Sequence, residues 1–503
     1  MDALRTPPHA GSRSSAFARA RIESRFLLVI TLAAIAAGTV VKIILLDHQS
    51  LWVDEMFTQG FSAPALPLSQ LWSAWAYDDH PPLYYLLMHF WVQLFNETDE
   101  IALRSLSVVF ALAASASAAL AYRHLLPWPE RLLFVTFVSC NFGLIFYAQE
   151  ARQYAFVFFL SVLLLAAVLT VWQRLENTRH LSIPALLACT TVGILLSLTH
   201  LFGTLYTLSC FFLLFVLVLI YRPGHMAAFF GLMILAGIVA MIWPIWVLLN
   251  FDDITAEGTS WLVIFRDPVY LAKMTAWLLF GNPYALAIVA LAGAAFVFIR
   301  WSSRQRLFPA AMWVALTPSV LVVILAFIAS KTVVPLISHR NLMVIFPGIY
   351  FALTVLFSEG QSRRNVLAIS AILGVLLLWP SLADYYVPHK TQWRESAKYI
   401  AEERGCSEVS FFPPGATTHH RVYLPPPFAL RPASLEGGRE GNGSWQAADL
   451  AVAVGQAMGT ENECGVLLWV VPTNNVAKAL AELELPEDIE IQQFFEAAVI
   501  LHK

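Results

Sequence analysis

Ionisable side chains stand among aromatic residues in two short clusters near the start of the chain. Residues 51–58 read Leu-Trp-Val-Asp-Glu-Met-Phe-Thr, and residues 78–85 read Asp-Asp-His-Pro-Pro-Leu-Tyr-Tyr. Desolvating a charge without a partner is costly, so carboxylates among Trp, Phe and Tyr are rarely placed there for stability. We therefore expect residues 47–100, the long polar interruption that contains both clusters, to react with or bind a ligand.

The composition around these clusters is that of a chain that crosses a membrane many times. Of 503 residues, 58% are hydrophobic and only 13% are charged, whereas about a quarter of the residues in soluble domains are charged. The net charge of -3 provides no basic face for nucleic acid. The clusters must therefore be positioned by apolar helices.

Apolar segments of about 20 residues, the length that a bilayer core demands, predict eleven membrane spans. The first, 26–46, follows a basic tail at 1–25 and lacks the cleavage site of a secretory signal, so we expect it to be retained. The other spans are predicted at 102–121, 132–148, 153–172, 181–199, 201–221, 226–249, 283–299, 308–330, 341–357 and 365–383.

Two further apolar segments, 83–95 and 269–281, are too short to cross the core. We expect both to lie along the outer membrane surface as helices.

The charges indicate which side of the membrane each connection faces. With a cytoplasmic N-terminus, the tail and the inner connections hold fifteen arginines and the outer connections hold six basic residues, as the positive-inside rule requires. Both clusters then lie on the outer face. The basic residues outside, which the rule disfavours, are Arg104, Arg152, Arg266, Lys273, Lys331 and Arg340.

The composition changes after Asp384, where charge and proline become more frequent. Helices at 392–403, 447–458 and 474–483 alternate with strands at 408–412, 465–471 and 489–501, which predicts a small α/β domain on the outer side. A disulfide between Cys406 and Cys464 and two separate buried thiols explain these cysteines equally well. The predicted domains are the tail 1–25, a transmembrane domain 26–384 with the active site in its outer loop 47–101, and a periplasmic domain 385–503.

Five segments carry a resemblance to a known family. They are Asp54-Glu55 after the first span, His-Pro-Pro-Leu-Tyr-Tyr-Leu at 80–86, Tyr-Ala-Gln-Glu-Ala-Arg-Gln-Tyr-Ala at 147–155, Thr199-His200, and His-Arg-Asn-Leu at 339–342. In order and sidedness, residues 26–400 resemble the bacterial relatives of the dolichyl-phosphate-mannose protein mannosyltransferases. These are GT-C-type membrane glycosyltransferases, a group that includes the aminoarabinose transferase acting on lipid A.

The resemblance implies a sugar donor linked through phosphate to a polyprenyl lipid, transfer on the outer face, and no nucleotide cofactor. The sequence departs from the aminoarabinose transferases at one place. Those proteins have an acidic residue and a lysine before the two prolines, where Asp79 and His80 stand here. A lysine-based phosphate contact is therefore in doubt at this position.

Within this family, Asp54 is the candidate general base, because an attacking hydroxyl must lose its proton and a placed carboxylate accelerates that step by ~10²- to 10⁴-fold. The alternative is that Asp54 caps a helix beginning at Glu55. Glu55, the second candidate catalytic residue, is a supporting or metal-facing carboxylate, or is simply solvated.

The donor phosphate requires cations. Arg340 is the first candidate, with Lys331 on the same short outer loop. Arg152 either binds the donor or pairs with Glu150 or Glu55 to orient it.

Tyr84 and Tyr147 are further candidates for donor binding, since sugar rings stack on aromatic side chains, although aromatic residues also collect at membrane interfaces. His80 is a candidate for binding near the donor phosphate. Asp79 and His200 are the candidate ligands of a divalent metal cation that would neutralise the leaving group. The alternative for these histidines is that they are interfacial polar residues.

We expect an inverting transferase of the bacterial inner membrane that passes a sugar to a glycan, lipid or protein acceptor. The alternatives are a translocator of lipid-linked sugars and a glycolipid-binding scaffold. Transporters place their polar groups near the membrane midplane, whereas the ionisable groups here cluster at one face. The leading hypothesis requires Asp54 and Arg340 to act on the same donor.

Overall fold

A computed structural model describes most of the chain, and the described residues form two compact units. The membrane unit comprises Met1–Ile44, Pro64–Asn96 and Leu103–Tyr385, and the sheet unit comprises Leu45–Ala63, Glu97–Ala102 and Tyr386–Lys503. The predicted outer loop 47–101 is thus divided between them. The described residues are 10–76, 78, 80–221, 226–250, 262, 265, 267–302, 309–332, 335–383, 387–412, 421–432, 447–458, 466–469 and 489–502.

The chain before residue 384 is almost entirely helical. Its helices are α1 (Ala10–Ile43), α2 (Val53–Phe61), α3 (Leu68–Trp75), α4 (Leu83–Phe95), α5 (Glu100–Leu120), α6 (Trp128–Ser139), α7 (Phe142–Ala148), α8 (Tyr154–Thr178), α9 (Ile183–Ser197), α10 (Leu201–Tyr221), α11 (Met226–Leu249), α12 (Pro268–Phe280), α13 (Pro283–Ser302), α14 (Ala310–Thr332), the 3₁₀ helix Asn341–Ile345, α15 (Phe346–Ser358) and α16 (Arg363–Ala383). The short helices α4 and α12 agree with the predictions to within one residue.

The chain is a multi-pass α-helical membrane protein. Within the described residues, nine helices are long and apolar enough to cross a membrane, or ten if α6 and α7 are one span bent by 50°. The remaining predicted span, 181–199, corresponds to α9, which has 15 residues. Because such a helix is about 22 Å long, it is shorter than a bilayer core of about 30 Å.

The break between α6 and α7 is stabilised by Lys42 of α1, and Gly38 lets α1 approach it closely. Lys42 is buried, and its Nζ donates to the Ser139 carbonyl at 2.6 Å, a carbonyl at the end of α6 that no longer has a helical partner. One turn earlier, a Cβ added to Gly38 would lie 2.6 Å from the same carbonyl oxygen. A glycine is therefore needed for α1 to approach the break this closely.

Asn141 starts α7 and ties it to two other helices. Its side-chain oxygen accepts from the Leu144 N–H at 2.7 Å, which caps the helix. Its Nδ2 donates to the carbonyls of Leu278 and Leu279 in α12 and contacts the hydroxyl of Tyr350 in α15. This buried network fixes α7 and so the start of the segment 147–155.

The C-terminal region is a small α/β structure, as predicted. The strands β1 (Glu408–Phe412), β2 (Ala429–Pro432), β3 (Val466–Trp469), β4 (Ile489–Phe494) and β5 (Ala497–His502) form one sheet in the order β2-β1-β3-β5-β4. β1 is parallel to β2 and β3, and β5 is antiparallel to β3 and β4.

Helices precede and cover this sheet. α17 (Trp393–Lys398) continues as a π-helix over Tyr399–Glu403, and α18 (Ala447–Met458) packs against β1, β3 and β5. Cys406 is in a disulfide. Its predicted partner Cys464 and the predicted helix 474–483 lie outside the described residues.

The Asn141 network predicts the cost of removing its amide. Asn141→Ala deletes the cap of α7 and removes the Asn141 donor from the buried Leu278 carbonyl, whereas the Leu279 carbonyl still accepts from the Tyr350 hydroxyl. The sum of a cap and a buried unsatisfied group is about 2–4 kcal/mol. We expect a lower midpoint of thermal unfolding in detergent for Asn141→Ala. Asn365→Ala is the matched control, because Asn365 is exposed and its amide donates to Gln361 one turn away. An unchanged midpoint in both variants would contradict the role of the network.

Candidate functional site

The first cluster belongs to the sheet unit and opens a short helix. α2 begins at Val53 after Trp52 as N-cap, so Asp54 lies in the first turn and is partly exposed. The interpretation of Asp54 as the cap of a helix beginning at Glu55 is therefore wrong. The boundary is set instead by Glu55, whose Oε2 accepts from the Trp52 N–H at 3.3 Å. A carboxylate in the first turn is favoured by the helix dipole.

The Glu55 carboxylate is fully buried in an ion pair that the sequence analysis missed. Lys390 Nζ lies 2.9 Å from Glu55 Oε2, and the two side chains are 6% and 0% exposed. Simple solvation of Glu55 is thus excluded. Because the same oxygen meets the backbone of Trp52 and the ammonium of Lys390, Glu55 fixes the turn that carries Asp54.

Other contacts within the sheet unit hold the same stretch. Ser50 Oγ donates to the Thr391 carbonyl at 2.7 Å and accepts from the Trp393 N–H at 3.1 Å. Glu100 Oε1 accepts from Arg394 at 3.0 Å and from the Tyr423 hydroxyl at 2.8 Å. The residues that begin the C-terminal region therefore hold the first cluster in place.

The second cluster belongs to the membrane unit and pairs His80 with Asp78. The Asp78 Oδ1 accepts from the backbone N–H of His80 at 2.7 Å and lies 3.0 Å from its Nδ1. His80 Nε2 lies 3.5 Å from an Arg152 Nη. A guanidinium only donates, so we assign the proton of the neutral ring to Nδ1, where it is donated to Asp78. Asp79, the predicted metal ligand, lies outside the described residues.

Arg152 is a buried guanidinium held by the membrane unit. It donates to the Tyr85 hydroxyl at 3.3 Å, and its backbone carbonyl accepts from Ser107 at 3.3 Å. The Tyr85 hydroxyl is in turn 3.5 Å from Asp78. The Arg152 side chain is thus held in one orientation before any ligand binds. This arrangement would reduce the side-chain entropy lost on binding an anion.

A series of ring contacts joins the remaining candidates. The Arg340 guanidinium lies 5.7 Å from the centre of the Tyr154 ring, within the range of a cation–π interaction. The ring centre of Tyr154 lies 4.7 Å from that of Tyr147 and 6.0 Å from that of His200. The ring centres of His200 and His80 are 5.6 Å apart. Four of the five segments that carry the family resemblance therefore meet in the membrane unit, and the fifth, Asp54-Glu55, belongs to the sheet unit.

Two other predicted donor-binding residues, Tyr84 and Lys331, differ in burial. The Tyr84 hydroxyl lies 3.1 Å from Ser107 Oγ in a fully buried position. Lys331 is exposed at the end of α14, with its ammonium 5.5 Å from the Phe327 ring centre.

Of the two residues proposed for a metal, His200 lies in the described part of the chain and Asp79 does not. His200 Nδ1 accepts from the Phe202 N–H at 3.0 Å, so only its Nε2 could meet a cation. Across the described ranges, no group of three or more His, Cys, Asp or Glu side chains could hold a metal ion. We therefore derive no step through a metal.

His339 precedes Arg340 in the segment 339–342. Its ring packs against Phe265 with 5.2 Å between ring centres. Burial lowers the pKa of His339 to about 3, and the Arg340 guanidinium adds to the lowering. The imidazole is therefore neutral at physiological pH.

Comparisons with known proteins agree with the fold. No family model matches the sequence, and no curated protein matches it. The solved structure of ArnT from Cupriavidus metallidurans in the apo state has a TM-score of 0.51 at 11% identity, covering 93% of this chain and 97% of ArnT.

Two further solved structures have lower scores. The same ArnT bound to undecaprenyl phosphate has a TM-score of 0.49 at 12% identity with the same coverage. The Archaeoglobus fulgidus oligosaccharyltransferase with Zn and sulfate has a TM-score of 0.42 at 12% identity, covering 80% of this chain and 62% of that protein. The likeness to apo ArnT confirms the predicted fold class over nearly the whole chain.

The buried Glu55–Lys390 pair predicts a large effect when one partner is removed. Lys390→Met leaves the Glu55 carboxylate buried and uncompensated, which costs about 3–5 kcal/mol. The double variant Glu55→Gln with Lys390→Met removes both charges and should recover much of that loss. Thermal unfolding of the single and double variants measures the coupling, and additive losses would show that the two side chains do not interact.

His339 predicts a dependence of stability on pH. Its ordinary pKa is about 6.5, so between pH 6.5 and 3 the unfolded chain takes up a proton that the folded protein excludes. Stability therefore falls as the pH falls through this window, by up to ~1.4 kcal/mol per pH unit. Between pH 7 and pH 5 we expect the wild type to lose ~2 kcal/mol more than His339→Phe. Unfolding midpoints measured across this range would be parallel for the two proteins if His339 were not buried as a neutral ring.

Proposed function

We propose that this protein is a membrane glycosyltransferase that moves a sugar from a polyprenyl-phosphate-linked donor to a hydroxyl group of a glycan, lipid or protein acceptor. The observation that carries the proposal is the meeting of four resemblance segments around Arg152 and Arg340 in the membrane unit. Two cations in short connections between apolar helices suit a ligand that is anionic at one end and apolar at the other. Undecaprenyl phosphate, which ArnT binds, is a ligand of this class.

Arginine suits the departing phosphate in this reaction. A guanidinium presents a planar fork of N–H donors that matches phosphate oxygens, and it stays protonated at any physiological pH. In a site with little water, such fixed donors stabilise developing negative charge more strongly than they would in bulk solvent. We assign Arg340 to the donor phosphate, and Arg152, already held by Tyr85 and His80, to the same anion or to the orientation of its neighbours.

Asp54 is assigned to the acceptor. The acceptor oxygen attacks the anomeric carbon, its proton passes to the Asp54 carboxylate, and the bond from the anomeric carbon to the phosphate oxygen breaks. The electron pair of that bond stays on the polyprenyl phosphate, and a single displacement inverts the configuration of the sugar. The Glu55–Lys390 pair supports this role, because it fixes the helical turn on which Asp54 stands.

The proposed location is the inner membrane of a bacterium, with the N-terminus in the cytoplasm and the sheet unit in the periplasm. The excess of arginine in the tail and the inner connections supports this orientation. The disulfide at Cys406 agrees with it, because disulfides persist in oxidising compartments such as the periplasm. The lipid-linked donor would then be used on the outer face of the membrane.

The two assigned residues predict different kinetic losses. In proteoliposomes supplied with radiolabelled undecaprenyl-phosphate sugars and envelope extract as acceptor, Asp54→Asn should lower kcat by ~10²- to 10⁴-fold with little change in donor KM. Arg340→Ala should lower kcat/KM, and Arg340→Lys should restore only part of it. Arg364→Ala is the matched control, because Arg364 is an exposed arginine paired with Glu23.

Two outcomes would replace the transferase with another function. Label that crosses the vesicle membrane with its sugar still attached, at a rate unchanged by Asp54→Asn, would identify a translocator. Label that binds the wild type but neither crosses nor reaches an acceptor would identify a glycolipid-binding scaffold.

A further inference from the structure

Two residues next to the contact between Arg340 and Tyr154 carry buried polar atoms that have no hydrogen-bond partner among the described residues. Gln153 is 1% exposed, and neither its amide nitrogen nor its amide oxygen has a partner among the residues that the structure describes. His339 Nδ1 is buried and lacks a partner in the same way. A buried polar group without a partner costs about 1–3 kcal/mol, so such groups call for an explanation.

Each of the two residues directly precedes a member of the contact between Arg340 and Tyr154. Gln153 immediately precedes Tyr154 and is the N-cap of α8. His339 immediately precedes Arg340, the residue before the 3₁₀ helix Asn341–Ile345. α8 packs against that 3₁₀ helix, and the Arg340 guanidinium faces the Tyr154 ring at 5.7 Å. Each unsatisfied group therefore belongs to a residue that is adjacent in sequence to a member of the contact between Arg340 and Tyr154.

The fold is able to satisfy a glutamine amide in the same segment. Gln149 lies four residues before Gln153, and its Nε2 donates to the carbonyls of Val41 at 2.7 Å and Ile44 at 3.1 Å. Gln149 therefore has a structural role, because its amide is hydrogen-bonded to the protein backbone. Since the Gln153 amide has no such bonds among the residues that the structure describes, packing alone does not explain a glutamine there.

The chemistry of the two groups indicates what would satisfy them. A glutamine amide both donates and accepts, and a neutral imidazole has one donor and one acceptor nitrogen. The oxygens of a phosphate diester only accept, so they would leave the Gln153 carbonyl unpaired and facing negative charge, and a polyprenyl chain offers no hydrogen bond at all. A hydroxyl group both donates and accepts, so a sugar with several hydroxyls matches both residues.

We infer that Gln153 and His339 bind the hydroxyl groups of the sugar carried by the donor lipid, while Arg340, the residue after His339, binds its phosphate. The inference rests on the proposed function and adds to it the residues that recognise the sugar. The donor is favoured over the acceptor because its sugar is covalently attached to the phosphate and so lies within reach of the residues next to Arg340. The low pKa of His339 agrees with recognition of uncharged groups.

Binding of lipids with and without a sugar tests the inference. Protein in nanodiscs is titrated with undecaprenyl phosphate and with undecaprenyl phosphate carrying mannose, glucose, galactose or aminoarabinose. We expect the wild type to bind at least one sugar-bearing lipid tenfold or more tighter than undecaprenyl phosphate. Gln153→Met and His339→Phe should each lose about tenfold of that preference, since a site built to bond a hydroxyl discriminates strongly. The affinity for undecaprenyl phosphate should not change, whereas Arg340→Ala should weaken both lipids.

Thermal stability separates recognition from structure. Gln153→Met removes two unsatisfied atoms, so its unfolding midpoint should equal or exceed that of the wild type at pH 7. The matched control Gln149→Met loses two hydrogen bonds, so its midpoint should fall while its preference for the sugar remains. His339→Phe keeps a ring against Phe265 and carries the same test if Gln153→Met does not fold.

Each contrary result has a distinct meaning. If Gln153→Met and His339→Phe keep the preference of the wild type, these residues do not bind the sugar, and the inference is overturned while the proposed function stands. If the wild type binds undecaprenyl phosphate without preferring any sugar-bearing form, the inference likewise fails. If the wild type binds none of these lipids, the proposed function fails and the inference fails with it.

Discussion

The pairing of buried polar groups is the constraint on which this structure depends. An apolar chain has little water available to satisfy a buried charge or amide, so each such group must find a partner in the protein or a ligand. Lys42 reaches the open end of α6, Asn141 reaches the carbonyls of α12, and Lys390 neutralises Glu55. Each of these contacts joins segments far apart in the sequence. They hold the backbone that presents the candidate residues.

The break between α6 and α7 shows how this constraint positions the site of the membrane unit. A continuous helix would carry the chain past residue 148 in another direction. The break costs hydrogen bonds, and Lys42 and Asn141 supply replacements. The chain then enters the segment 147–155 with Tyr147, Arg152 and Tyr154 placed against His80, His200 and Arg340. The geometry of the candidate site thus depends on the break between α6 and α7 and on the hydrogen bonds that stabilise this break.

Much of the fold could be predicted because it follows from local signals. Among the described residues, nine helices of membrane-spanning length coincide with spans predicted from apolar segments. The thirteen residues of α4 are too short to cross, as their sequence predicts. The strand β2 was missed because four residues that end in proline carry almost no strand signal. Its partner β1 supplies the pairing that the sequence of β2 does not reveal.

The candidate site was predictable only in part, for a related reason. The rule that disfavours arginine outside selected Arg152 and Arg340, and the structure gives both buried or aromatic surroundings. The same rule selected Lys331, which is exposed. Lys390 was missed because it is 335 residues from Glu55, and no local pattern marks the lysine of a long-range pair.

Sequence position tells which charges are unexpected, but burial and partners decide what each side chain can do. Gln149 and Gln153 show the difference within one segment, since they are the same residue type four positions apart. The amide of Gln149 is used up by two carbonyls of α1 and its vicinity, whereas the amide of Gln153 is buried without a partner among the described residues. A residue whose bonds are complete contributes to the scaffold. A buried residue whose bonds are incomplete lowers the stability of the empty protein, and the binding of a matching ligand restores what it lost.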